Sequence, residues 1–170
     1  MRHHSIPCWS ILLLASFAGG CKHEADISSL DLELYELAQS TNGHVWYRAN
    51  DDLLDRTGGS GHGEPLLRTR YNAIAATVLD SSGRVEPDTL FPSGSLIVKE
   101  LWESGSTLGT YAVMLKRPGD PSADAGGWVW GYIRASGEVR VSALEQGAAC
   151  RNCHTQAGHI DATLMNLAFP

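Results

Sequence analysis

The sequence predicts an α+β domain, an antiparallel β-sheet flanked by a few helices. Two observations carry this. From Gly94 onward four short β-rich runs, "SLIVKELWE", "TYAVMLKR", "GWVWGYIR" and "EVRVSAL", are separated by the turn-rich connectors "SGSTLG", "PGDPSADAGG" and "ASG". Connectors that short join antiparallel neighbours, because parallel strands need long crossovers. Upstream, apolar residues recur instead at helical spacing. A chain of 170 residues suits one domain with a substantial core. Its formal net charge of −6 offers no basic face of the kind nucleic acid requires.

The amino terminus reads as an export segment. "MRHHSIPCWS" carries Arg2 and is followed by the apolar run "ILLLASFA" and by Gly19 and Gly20. These are the charged, apolar and small-residue parts of a signal peptide over residues 1–20. The apolar run is too short to span a bilayer. Cys21 follows at once in "FAGGC", which resembles the lipobox of bacterial lipoproteins, with Ala18 where that pattern prefers Leu. The resemblance implies lipidation of Cys21 and a protein of the bacterial periplasm or cell envelope, held at a membrane through its lipid anchor. Two or more acyl chains anchor stably, whereas one does not. Simple cleavage near Gly20 leaves Cys21 a free thiol instead. Cys8 leaves with the signal peptide, so only Cys150 and Cys153 belong to the folded domain, read as residues 29–170 behind a polar tether at 21–28.

Within the domain, "SSLDLELYELAQSTNG" reads as an amphipathic helix. Ile27, Leu30, Leu34 and Leu37 share helical spacing, Ser28 with Asp31 resembles a capping box, and Asn42-Gly43 supplies the stop. "VWYRA" reads as a short strand, and "DRTGGSGHGEP", which holds His62, as a loop. "LLRTRYN" brings Arg68 and Arg70, either ordinary surface residues or partners of an anionic group through charge-assisted hydrogen bonds. "YNAIAATVL" fits a short helix through Tyr71, Ile74, Ala75 and Val78. In the first β-run Lys99 alternates with Ile97 and Leu101, which puts its amine on an apolar face. Burial there would favour the neutral, nucleophilic amine. A solvent-facing strand, or snorkelling to the sheet edge, would make Lys99 ordinary.

The chemistry concentrates in "AACRNCHTQ", a Cys-x-x-Cys-His cluster of Cys150, Cys153 and His154. Zinc needs four protein ligands, or three and a water; His159 is the nearest further donor and no second Cys-x-x-Cys exists. A thioredoxin-like disulfide sits at a helix start in a βαβ setting, whereas this pair follows an antiparallel meander. Covalent haem uses every member of the cluster. On a helical turn positions i, i+3 and i+4 share a face, so two thiols can form thioethers while the adjacent imidazole reaches iron. The sequence therefore predicts one covalently attached haem c, held by Cys150 and Cys153, with His154 as iron ligand. The loop at His62 is then a candidate haem edge, with Arg68 and Arg70 as candidate propionate partners. Met114, Met165 and His159 are candidates for the sixth iron position. The methionines lie in apolar runs and read as core, and His159 is too near the cluster to reach the opposite haem face. An open distal site is expected, which favours binding or oxidising a small molecule over simple electron carriage.

"FPSGSLIVKELWE", "GWVWGYIRASGEV" and "CRNCH", in that order and spacing, resemble the cytochrome P-460 family over residues 90–155. The resemblance implies a mono-haem c-type domain on an antiparallel sheet, commonly a homodimer, with His154 as the proximal ligand. In hydroxylamine-oxidising members the lysine of the Val-Lys-Glu strand is joined covalently to the porphyrin, and Lys99 matches that position. Such a protein would oxidise hydroxylamine or a similar small nitrogen compound and pass electrons to an external acceptor. The related cytochromes c′-beta share the fold, lack the cross-link, and bind nitric oxide or carbon monoxide in an apolar distal pocket. That non-enzymatic reading, and a simple electron carrier, are the alternatives. Active oxidisers carry a distal carboxylate between the last strand and the haem motif; Glu138 and Glu145 are nearest, and neither matches that position. Trp128, Trp130 and Tyr132 alternate onto one face as core, dimer contact or pocket lining. The lipobox reading predicts that Cys21→Ser abolishes membrane association on cell fractionation; unchanged anchoring would count against it.

Overall fold

The computed structural model describes residues 27–170; the segment expected to be a signal peptide, with Cys8, and the expected lipidation site Cys21 lie outside the described residues. The expected α+β architecture is observed. Helix α1 spans Ser29–Gln39 and is followed by strands β1 (Val45–Trp46), β2 (Leu54–Asp55), β3 (Leu66–Tyr71), β4 (Leu96–Ser104), β5 (Thr107–Lys116), β6 (Trp128–Arg134) and β7 (Val139–Val141). Two one-turn helices close the domain, α2 (Arg151–His154) and α3 (Met165–Ala168). The strands form one antiparallel sheet in the order β1-β3-β4-β5-β6-β7, with β2 also pairing β3.

Helix α1 starts as its sequence predicts, the Ser28 hydroxyl accepting from the Asp31 amide at 3.0 Å. The Asp31 carboxylate has a second task. It accepts from the Ser142 hydroxyl and the Ala143 amide, both at 2.7 Å, which ties the helix start to the segment ahead of Cys150. Two local expectations change, and one further strand appears. "LLRTRYN" is strand β3, hidden in the sequence because its alternate positions are charged. "VWYRA" is strand only at Val45–Trp46 and then a 3-10 turn over Tyr47–Ala49. "YNAIAATVL" contributes Tyr71 to β3 and a 3-10 turn over Ala75–Val78, whose Ala75 amide donates to the Asn72 side chain at 2.9 Å.

The sheet has two differently covered faces. On one, Leu34 and Ala38 of α1 pack against Leu96, Val98, Val113 and Ile133. Gly131 makes the close approach possible, since a Cβ there would lie 2.8 Å from the Leu34 side chain. On the other, Leu67, Tyr71, Ile97, Met114, Trp128 and Trp130 pack under the carboxy-terminal segment through Ala162 and Met165. Strand alternation assigns Lys99 to this second face and Glu100 to the first.

That assignment corrects the expectation for Arg68 and Arg70. Both lie on the α1 face, turned from Lys99, because they alternate with Leu67, Thr69 and Tyr71. Arg70 is fully buried; its guanidinium pairs with Glu100 and donates to the Ala38 carbonyl at the end of α1. Arg68 donates to the same carboxylate at 2.6 Å and lies between the rings of Trp46 and Trp102, 4.5 and 5.1 Å from their centroids. These are the counter-charges of a buried glutamate and not partners of an external anion. Glu100→Ala is expected to cost about 3–5 kcal/mol in urea unfolding, because it strands the Arg70 cation in the interior. The pair-removing Arg70→Met/Glu100→Leu double variant is expected to cost much less.

Candidate functional site

Cross-strand register builds the site floor. Thr69, Lys99, Ala112, Tyr132 and Val141 form one row across five strands, and Tyr71, Ile97, Met114 and Trp130 form the next. The chain returns over this floor after β7. Ser142 and Glu145 form a capping box around a short 3-10 turn, and Gly147 then crosses the Trp130 indole. Only glycine fits at 147, since φ is +68° and a Cβ would collide with the indole ring.

Helix α2 is a single turn, with the Cys150 carbonyl accepting from the His154 amide at 3.2 Å. The turn places Cys150 and His154 together on the wall of the cavity, while Cys153 stays exposed beside the mouth. Both thiols are free, and burial pushes the Cys150 thiol up. The His154 ring meets Trp130 edge-on at 4.9 Å. Its Nδ1 lies 2.7 Å from the Ala162 carbonyl oxygen. A carbonyl only accepts, so Nδ1 carries the proton and Nε2 keeps its lone pair. Burial also lowers the pKa of His154, holding the ring neutral.

An outer groove of about 500 Å³ and an inner pocket of about 50 Å³ meet at His62, Lys99, Tyr132, Cys150, His154 and Leu164. The inner end is apolar, walled by Ile97, Met114, Trp130 and Met165. The two methionines are thus both core and lining, and the Thr69 hydroxyl donates to the Met165 sulfur at 3.3 Å. Burial pushes the Lys99 amine down to about 8, with no ion-pair partner among the described residues to offset it. The inward lysine read from alternation is therefore in the site. His62 is there too, stacked on Tyr132 at 5.8 Å with its pKa pushed down to about 3, first by burial and then by Lys99.

Other expected residues fall outside. His159 is exposed and its Nδ1 accepts from the Ala162 amide at 3.0 Å. Glu138 is exposed and pairs with Arg134 and Arg140, and Glu145 is spent on its capping box. The carboxylate that does approach is Glu64, which accepts from the Tyr132 hydroxyl at 3.1 Å and from Thr110 at 2.7 Å. Sequence reasoning missed it because its only signal was membership of a glycine-rich loop. Among the described residues no three His, Cys, Asp or Glu side chains converge as a set suited to a metal ion. No family model matches the chain, and no curated protein matches it.

Two measurements check this geometry. Gly147→Ala is expected to destabilise the fold by about 1–3 kcal/mol and to change Trp130 emission, since strain and overpacking act at one atom. Amine labelling read by mass spectrometry is expected to reach half-maximum at Lys99 near pH 8. Exposed lysines, with pKa values near 10.4, remain largely protonated there. Half-maximal labelling of Lys99 at the exposed value would contradict its burial.

Proposed function

We propose that this protein is a mono-haem c-type cytochrome with an open site beside the iron. Cys150 and Cys153 would hold the haem through thioethers and His154 would ligate its iron through Nε2. The observation that carries the reading is the Nδ1–Ala162 bond of His154 at the wall of the cavity. Metal-ligating histidines almost always commit their other ring nitrogen to a carbonyl or carboxylate, which fixes the tautomer. The residues present fit the group in two further ways. Cys150 and His154 lie on one turn, and the groove beside them has the size and apolar wall of a cofactor site. When bound, the haem would supply an iron able to bind a small nitrogen compound and take up its electrons for an external acceptor.

This reading makes hydroxylamine, or a compound like it, the substrate class, after the cytochrome P-460 resemblance. Lys99 is the residue that would mark it, as the porphyrin cross-link or as the amine that holds a proton inside the cavity. A second reading has an observation of its own. No carboxylate lines either part of the cavity among the described residues, and the inner end is apolar. Those features suit nitric oxide or carbon monoxide binding without turnover. An electron carrier ligated by Met114 or Met165 would instead draw on the two sulfurs that line the pocket. Export, a lipid anchor at Cys21 and a homodimer complete the proposal.

Produced in a host that attaches c-type haem, the protein is expected to gain the mass of one haem and to lose it in the Cys150→Ala/Cys153→Ala variant. A high-spin spectrum is expected, and a six-coordinate low-spin ferrous spectrum would overturn the open site. Lys99→Met separates the two open-site readings. A changed haem-peptide mass and lost hydroxylamine oxidation support the enzyme, whereas an unaltered haem peptide with intact carbon monoxide binding supports the gas binder. Failure to take up haem at all overturns both.

A further inference from the structure

The Ala162 carbonyl that meets His154 belongs to a turn with an unusual backbone. Asp161 and Ala162 are both left-handed, at φ +42° and +67°, a conformation that non-glycine residues hold only when their surroundings impose it. The turn is closed locally by the Thr163 amide on the Ile160 carbonyl at 2.8 Å. What pins it to the rest of the molecule is the Asp161 side chain. Its carboxylate, buried to 8 % exposure, receives Lys116 Nζ at 2.9 and 2.8 Å, the Phe91 amide at 2.9 Å and the Trp128 indole at 3.3 Å.

Lys116 ends β5 and Trp128 begins β6, so the turn is referenced to the ends of two neighbouring strands. His154 is referenced to the same face of β6, through Trp130 two residues on. The distance between Nδ1 and the carbonyl is therefore set by the sheet, with Asp161 as the bolt.

We propose that Asp161 is a positioning residue for His154, holding the Ala162 carbonyl where it fixes the proton on Nδ1 and leaves Nε2 free to ligate. Its functional meaning rests on the haem reading, but its physical content concerns the imidazole alone. Losing the carboxylate charge frees Lys116, loosens the turn and lets the proton visit Nε2, which blocks ligation in that tautomer.

Asp161→Asn is the informative variant. Asn tolerates the left-handed region better than most residues, so the local turn keeps its backbone preference while the ion pair goes. In the full chain prepared without haem, ¹⁵N NMR of the His154 ring is expected to show one tautomer, protonated at Nδ1. In Asp161→Asn the Nε2-protonated form is expected to rise about fivefold, as losing roughly one ordinary hydrogen bond would produce. Lys116→Met, which removes the other half of the ion pair and leaves the turn's own sequence unchanged, is expected to move the ring in the same direction and serves if Asp161→Asn fails to fold. An unchanged tautomer in whichever of these variants folds overturns the proposal. Because the readout needs no haem, a chain that takes none up overturns the proposed function and leaves this result to stand or fall by itself.

Discussion

Each residue of the central sheet is committed to one of two faces, and that period-two constraint organises the molecule. Lys99 and Glu100 are chain neighbours with opposite fates. The lysine enters the cavity face, and the glutamate enters the face covered by α1. A slip of one residue in β4 would exchange them, leaving the buried Arg70 against an amine and placing a carboxylate on the cavity floor. The clamp of Arg68, Arg70 and Glu100 therefore does more than neutralise charge. It favours the β3–β4 register that delivers Lys99 to the cavity face.

The two faces handle charge by opposite means. Glu100 is buried among donors, so its charge is matched and its removal leaves an orphan cation. Lys99 is half-buried with no carboxylate partner among the described residues, so desolvation shifts its proton affinity with no ion pair to offset it. His62 and His154 beside it are pushed toward the neutral form for the same reason. Lys99, pushed down only to about 8, still keeps most of its proton at neutral pH, and its charge helps hold both imidazoles neutral.

Much of this was legible in the sequence, and the gaps have physical causes. The four carboxy-terminal strands announced themselves by β-rich runs and short turns, and Lys99 by its place between Ile97 and Leu101. The Cys-x-x-Cys-His cluster was legible as a spacing, of which the turn of α2 brings Cys150 and His154 to the cavity wall and leaves Cys153 exposed. Strand β3 was not, since its positions facing α1 are arginines whose partners are supplied by β4 and by the end of α1. Arg68 and Arg70 therefore read as free cations when they are structural. Glu64 and Asp161 were invisible for a related reason, because both matter only through contacts with strands distant in sequence.

The Asp31 carboxylate on Ser142 and Ala143 spans 111 and 112 residues, and the Tyr47 hydroxyl reaches the Met165 carbonyl across 118. The opening helix and its following turn are thus finished only by the last part of the domain. Contacts of such length must bear the entropy of closing a long loop before they return any stability, which slows folding. For a chain that crosses a membrane before it folds, this ordering has a use. Were the chain exported and loaded as proposed, Cys150 and Cys153 would emerge into a domain that cannot yet have closed around them, and both thiols would stay within reach of an attachment machinery for an interval set by the chain's own topology.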